Sequence, residues 1–223
     1  MPKSNILEES RGLKMNFLDL NNVVVIGTLD DGNCFFHSIL RAFNNDYINA
    51  KTIADRVNLA RTFRNALAER LDEIEPISNK NYYETLNKGK LKEISQGIKE
   101  YTKESLQTEL RSSVFVDNMY QELISNALHL DIFIIDGNKK DMLNIGDAYD
   151  TYFKGRNSVV LYYTHGHYEV VGVKHSDGSV DTIFTPNHPL IQGCREKIIF
   201  NIRPNISSPK YKTSPKVSKT SPK

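Results

Sequence analysis

A short stretch of the chain places a thiol at the point where a loop becomes a helix. Cys34 follows Asp31, Gly32 and Asn33, and the apolar residues after it recur at helical spacing. A thiol at a helix N-terminus lies at the positive end of the helix dipole and beside free backbone N–H groups. Both features favour a thiolate, and the N–H groups can also donate to an oxyanion. Cys34 is therefore the candidate nucleophile, and residues 31–34 form the candidate oxyanion loop.

The candidate base lies far downstream, in a predicted β-hairpin. Two β-rich runs, 158–163 and 168–173, flank Thr-His-Gly-His, and the glycine falls in the turn. His167 opens the second strand. Because side chains alternate along a strand, Glu169 shares the face of His167 at a spacing of about 6.6 Å. Glu169 could accept a hydrogen bond from the imidazole, which would fix its tautomer and support the imidazolium as the third member of a triad does.

These residues resemble the ovarian-tumour (OTU) family of cysteine proteases, most of which are deubiquitinases. The resemblance rests on Asp-Gly-Asn-Cys with two following aromatic residues at 31–36, and on His-Tyr at 167–168 on a late strand. A helix over 118–130 and an apolar strand at 131–135 are similar to the elements that precede the histidine hairpin in this family. The match spans about residues 20–202, and its general character resembles the OTU-like proteins of large DNA viruses.

The resemblance implies an α+β fold of the papain-like OTU type, in which a small mixed β-sheet is flanked by helices. It also implies that Cys34 and His167 hydrolyse peptide or isopeptide bonds at the C-terminus of ubiquitin, through a thioester and without a cofactor or metal. Asp31 is carried over from the family motif, with a role in shaping the oxyanion loop. Glu169 departs from the usual Asp or Asn partner of the histidine, and a Cys-His dyad is the alternative.

The polar region from 79 to 110 is predicted to form short helices. In the family the matching region helps to build the ubiquitin-binding surface, so the resemblance implies contacts with ubiquitin or polyubiquitin there. Ubiquitin-like modifiers stay open as further substrates. The candidate contact residues are Tyr82, Tyr83, Leu86, Leu91 and Ile94. The alternative is that these side chains only pin the helices to the body of the domain.

The chain divides into an N-terminal extension (1–20), a catalytic domain (21–206) and a basic tail (207–223). Four apolar residues of the extension could dock on the body of the domain: Leu13, Phe17, Leu18 and Leu20. The tail repeats Ser-Pro-Lys and holds five lysines but no acidic residue, so we expect it to be disordered. It could bind nucleic acid weakly, or serve only as a solubilising extension. Apolar periodicity predicts helices over 34–44, 53–74 and 116–130, and strands at 23–26, 132–135, 158–163, 168–173 and 197–202.

The composition is typical of an intracellular protein with one folded domain. Of the 223 residues, 39% are hydrophobic and 25% are charged. We see neither an apolar run of membrane-spanning length nor a signal peptide. Cys34 and Cys194 form no disulfide framework, which fits the reducing cytoplasm or nucleus, of a host cell if the protein is viral. We expect a monomer that binds no membrane.

Other functions stay open at this point. A non-catalytic module of the same fold could bind ubiquitin and use its basic tail on nucleic acid. Another thiol hydrolase, or a small-molecule transferase, could use the same cysteine and histidine. A metal site of His165, His167 and Cys34 is disfavoured, because no dense cluster of ligands completes it. His37 is expected to be a helix-surface or packing residue.

Overall fold

The computed structural model describes residues 10–86, 102–112, 120–143 and 154–202. The strands are β1 (Ser10–Gly12), β2 (Val23–Ile26), β3 (Ile74–Glu75), β4 (Lys80–Asn81), β5 (Asp131–Asp136), β6 (Asp141–Met142), β7 (Ser158–Thr164), β8 (His167–Lys174) and β9 (Val180–Asp181). The helices are α1 (Cys34–Phe43), α2 (Asn45–Asn49), α3 (Ile53–Arg70), α4 (Tyr82–Thr85), α5 (Lys103–Arg111), α6 (Gln121–Leu128) and α7 (Pro189–Ile202).

The main sheet has the strand order β1-β2-β8-β7-β5-β6, and β9 pairs with the far end of β8. Strands β5 and β7 run parallel, whereas the other neighbours are antiparallel. In the β7–β8 hairpin Thr164 pairs with His167. The two turn residues, His165 and Gly166, have φ angles of 50° and 82°. Positive φ at both positions matches the right-handed twist of the flanking strands, so the predicted hairpin is confirmed.

Apolar cores cover both faces of the sheet. Strand β5 is buried along its whole length, and its side chains alternate between the two cores. Ile132 and Ile134 pack with α1, α3, α5 and α6 on one face. Phe133 and Ile135 pack with α7 and residues 13–20 on the other face. Helices on both faces of a mixed sheet agree with the predicted α+β class.

The predicted strand at 197–202 is wrong, because these residues form the end of α7. Within this helix Ile191, Cys194 and Ile198 are buried at intervals of three and four residues. Phe200 is 51% exposed at the end of the helix. The apolar run around Ile198 mimics a short strand when its helical context is not considered. Helix α3 ends at Arg70 rather than at 74, although Leu71 is still fully buried.

Residues 10–20 belong to the folded domain, and the docking expected of Leu13, Phe17, Leu18 and Leu20 is confirmed, because all four pack against the core that includes α7. Strand β1 pairs with β2, with Ser10 opposite Ile26. Met15 is 7% exposed and lies in the core beneath α7. The domain therefore begins before the predicted boundary at 21. The predicted tail, 207–223, lies outside the described residues. Among the helices of the described part, none is both long and apolar enough to cross a membrane.

Candidate active site

Cys34 is the first residue of α1 and lies against the start of β8. The turn before it depends on Gly32, whose φ of 83° is in the left-handed region that favours glycine. The Cys34 side chain is buried, with its Sγ 4.0 Å from the carbonyl oxygen of Gly166. Gly166 directly precedes His167 in the chain. The fold therefore brings the Cys34 sulfur to the residue next to His167, at the end of the β7–β8 hairpin.

The surroundings of Cys34 have opposing effects on the pKa of its thiol. Burial raises the pKa of the thiol, and the carboxylates of Asp30 and Asp31 add to this effect. The backbone N–H groups of Tyr168 and Phe35 oppose it, because they donate to the sulfur and stabilise the thiolate. Burial prevails, so the pKa of Cys34 lies above its ordinary value. At neutral pH the resting thiol keeps its proton and needs a base to remove it.

The Nδ1 atom of His167 is the position from which a partner would orient the ring. Its Nδ1 is buried and makes no hydrogen bond with any residue that the structure describes. The Oδ1 of Asp30 lies 3.7 Å from this nitrogen, slightly beyond hydrogen-bond distance. The side chain of Asp30 is 85% exposed. Asp30 is therefore the carboxylate placed to accept from Nδ1, and sequence analysis overlooked it beside Asp31.

The structure corrects the role expected for Glu169. Both of its carboxylate oxygens are bound by the guanidinium of Arg11, with Nη1 2.7 Å from Oε1. The glutamate side chain is only 8% exposed, and this bidentate ion pair ties β1 to β8. Glu169 therefore stabilises the sheet and does not contact the imidazole of His167. Arg11 lies 158 positions away in the chain, which is why strand periodicity could not predict the pair.

Asp31 makes local contacts that hold the turn before Cys34. Its Oδ1 accepts the backbone N–H of Asn33 at 2.9 Å and lies 3.0 Å from Nε2 of His37. Partial burial acts against the charge, but the Asn33 N–H bond and His37 hold the pKa of the Asp31 carboxyl below its ordinary value. His37 is fully buried, and its Nδ1 lies 2.8 Å from the hydroxyl of Tyr47. Of the two roles expected for His37, packing is correct and surface exposure is wrong.

The bond from Asn33 to Asp31 limits which groups can stabilise an oxyanion. The N–H of Asn33 is already engaged, so it is unavailable to a substrate. The N–H groups of Gly32 and Cys34 make no hydrogen bond with other residues in the described ranges. These two donors lie in the turn and at the helix N-terminus, beside the sulfur. They are the groups best placed to receive negative charge on a carbonyl oxygen.

Two of the five predicted ubiquitin-contact residues are buried in the core. Tyr82 and Leu86 are each 3% exposed and pack in the core with α1 and α3. Tyr82 is the first residue of the short helix α4 and Leu86 directly follows its end, so the two lie four positions apart and both face inwards. Tyr83 is partly buried against the same core. The contact role is therefore wrong for Tyr82 and Leu86, whereas Leu91 and Ile94 lie outside the described residues.

Arg64 is a site residue that sequence analysis missed. It lies on α3, is 1% exposed, and binds the side-chain oxygen of Asn33 through Nη1 at 2.5 Å. Ala60, Arg64 and Leu67 follow one another at helical spacing and are all buried. An arginine within such a stripe was a usable signal, because charged residues are seldom fully buried without specific partners. The described part of the chain contains no cluster of His, Cys, Asp and Glu suited to a metal ion.

Residues 30–169 match the family described as OTU-like cysteine protease. The chain belongs to this family. The matched stretch runs from the residue before the oxyanion loop to Glu169 and so includes Cys34 and His167. No curated protein matches the chain in sequence.

Solved structures of OTU domains share the fold at low sequence identity. An OTU domain in complex with ubiquitin aligns with a TM-score of 0.50 and 14% identity, over 78% of this chain and 83% of that chain. The Hazara virus OTU bound to ubiquitin gives a TM-score of 0.41 and 17% identity, over 79% and 95%. An OTU deubiquitinase from Wolbachia pipientis gives 0.41 and 13%, over 68% and 89%. The first of these likenesses supports the OTU fold.

Proposed function

We propose that this OTU protein is a deubiquitinating cysteine protease that hydrolyses peptide or isopeptide bonds at the C-terminus of ubiquitin. The observation that carries the proposal is the contact between the Cys34 sulfur and the residue preceding His167, in a chain of the OTU-like cysteine protease family. The substrate class is supported by the OTU domain of the same fold that was solved in complex with ubiquitin. Nothing in the reaction below requires a cofactor.

The first half of the reaction forms a thioester. His167 takes the proton of the Cys34 thiol, and the thiolate attacks the carbonyl carbon of the last glycine of ubiquitin. The N–H groups of Cys34 and Gly32 donate to the resulting oxyanion; losing one such donor typically lowers kcat by about 10²-fold to 10³-fold. The imidazolium then gives its proton to the leaving amine as the C–N bond breaks. Ubiquitin remains attached to the sulfur.

The second half releases ubiquitin. His167 removes a proton from a water molecule, which attacks the thioester carbonyl. The thiolate leaves and the imidazolium returns a proton to it, so the enzyme regains its neutral thiol. Asp30, 3.7 Å from Nδ1, supports the positive ring in both halves of the reaction. The same position would hold the ring in the tautomer that carries its proton on Nδ1, which leaves Nε2 free to take a proton.

A ubiquitin that carries a C-terminal propargyl group tests the proposal directly. The alkyne reacts only with a nucleophile that lies beside the bound C-terminus, and the adduct is detected by intact-protein mass spectrometry. We expect a single adduct on the wild-type protein and none on Cys34→Ala. Cys194→Ala is the matched control, because this second thiol is fully buried and burial raises its pKa to about 12. The control should react as the wild type does.

The same experiment separates the rival functions. A protein that binds ubiquitin but forms no adduct would be a non-catalytic binding module. A protein that neither binds nor reacts, but whose Cys34 is alkylated rapidly by iodoacetamide, would point to another thiol hydrolase or to a transferase. An adduct that persists in Cys34→Ala would refute the assignment of the nucleophile. Ubiquitin-like modifiers with the same warhead define the substrate range.

A further inference from the structure

Arg64 joins three parts of the protein from a buried position on α3. Its Nε donates to the carbonyl oxygen of Leu110 at 2.8 Å, and its Nη2 donates to that of Glu109 at 2.7 Å. These carbonyls lie in the last turn of α5, at the negative end of its dipole, which suits a cation. The guanidinium carbon also lies 4.8 Å from the centre of the Phe36 ring. These contacts fix the orientation of the guanidinium group and therefore the direction in which its Nη1 points.

The third nitrogen of this guanidinium, Nη1, donates to the side-chain oxygen of Asn33, the N-cap residue of α1. An asparagine at an N-cap usually accepts a hydrogen bond from the N–H of the second or third helical residue. Asn44, at the same position of α2, does so with the N–H of Tyr47 at 2.8 Å. Asn33 makes no such bond. The two asparagines differ in two respects: the ψ of Asn33 is 14° rather than the 111° of Asn44, and the side-chain oxygen of Asn33 is engaged by Arg64.

The uncapped first turn of α1 is the part of the helix that meets the substrate. The N–H of Phe35 lowers the pKa of the Cys34 thiol, and the N–H of Cys34 makes no hydrogen bond within the described ranges. A released Asn33 oxygen could turn to these groups and compete with the thiolate and the oxyanion. We propose that Arg64 is a positioning residue that holds this oxygen away from the helix, so that the first-turn N–H groups stay open for catalysis. The inference rests on the proposed function.

A double-mutant cycle tests this mechanism, with kcat and KM measured on ubiquitin that carries a fluorogenic C-terminal amide. Arg64→Gln releases the Asn33 oxygen, and we expect kcat to fall at least tenfold with KM within twofold. In the Asn33→Ala background there is no oxygen to release. The same arginine substitution should therefore lower kcat less than threefold there. Arg64→Lys, which keeps a cation near α5, is measured in both backgrounds in case Arg64→Gln does not fold.

Arg56→Gln is the matched control, because this arginine is also buried on α3 but its Nη2 points to the carbonyl of Ala50. It should leave kcat within twofold. Equal losses from the Arg64 substitutions in the two backgrounds would overturn the inference, since they would show that Arg64 only holds α3 against α5. An intact wild-type activity with those equal losses leaves the proposed function standing. A wild type that does not cleave the substrate contradicts the proposed function and this inference together.

Discussion

Replacing Asp30 by asparagine should slow turnover and, at the same time, make the free thiol more reactive. In the structure the carboxylate faces Nδ1 of His167 and also raises the pKa of Cys34. During the reaction the imidazole becomes positively charged, so the loss of the carboxylate raises the energy of that state. In the resting enzyme the loss of the same charge lowers the pKa of Cys34 and increases its thiolate fraction. The two effects have opposite signs.

The magnitude of the first effect follows from the 3.7 Å between Oδ1 of Asp30 and Nδ1 of His167. Two unit charges at that distance interact by about 1 kcal/mol in water, and by about 4 kcal/mol at an effective dielectric constant of 20. Because the Asp30 side chain is 85% exposed, the lower figure applies. We therefore expect kcat/KM to fall about fivefold in Asp30→Asn. Salt should reduce the difference, since an exposed charge is screened.

Two assays on the same protein follow the two effects. Turnover is measured with fluorogenic ubiquitin, and thiol reactivity is measured from the rate of alkylation by iodoacetamide at neutral pH. Asp181→Asn is the matched control, because its Oδ2 lies 2.7 Å from Nε2 of His175, an exposed pair at the other end of β8. That variant should change neither rate. Unchanged turnover in Asp30→Asn, or a parallel fall of both rates, would refute the reasoning.

Three other changes test the structure more widely. Glu169→Gln should lower the free energy of unfolding by about 1 kcal/mol, because the partner Arg11 is half exposed. It should change kcat less than twofold. A tenfold loss of kcat would show that this glutamate does act as the third member of a triad. Gly172→Ala should cost about 1–3 kcal/mol in urea unfolding, because the new Cβ would meet a Val180 methyl at 2.4 Å, whereas Gly12→Ala, with nothing within 4 Å, should cost far less. Burial lowers the pKa of His37 despite Asp31, so its unfolded form takes up a proton that the folded form resists, and thermal stability should fall below about pH 6.5. A pH slope that is unchanged in His37→Asn would contradict this origin.

Local signals in the sequence were sufficient to predict the helix that begins at Cys34 and the hairpin that carries His167. Helix α1 begins at Cys34 because the turn residue Gly32 precedes an apolar pattern of helical period. The β7–β8 hairpin follows from two β-rich runs on either side of a glycine turn. Both elements are specified by residues close together in the chain. The pairing of the two elements came from family resemblance, because spacing alone does not bring remote segments together.

The contacts that sequence reasoning missed all join remote segments. Arg11 binds Glu169, which lies 158 positions away in the chain, and Arg64 binds Asn33, which lies 31 positions away. From the sequence alone, a carboxylate two residues after a histidine on a strand is a reasonable candidate to orient that histidine. The structure shows that Arg11 binds this carboxylate instead. The prediction of a strand at 197–202, which is the end of α7, was wrong for a different reason. Its apolar residues near Ile198 are consecutive, and such a run fits a buried strand and a helix equally well.

The charges around Cys34 favour one route of ionisation over another. Asp30 and Asp31 both disfavour a thiolate, so loss of the proton to water is suppressed in the resting enzyme. Transfer of that proton to His167 is different, because it creates a positive ring 3.7 Å from Asp30 together with the thiolate. The carboxylate's repulsion of the sulfur is then offset by its attraction for the imidazolium. In the proposed reaction, the same acid that disfavours loss of the thiol proton to water therefore permits transfer of this proton to His167.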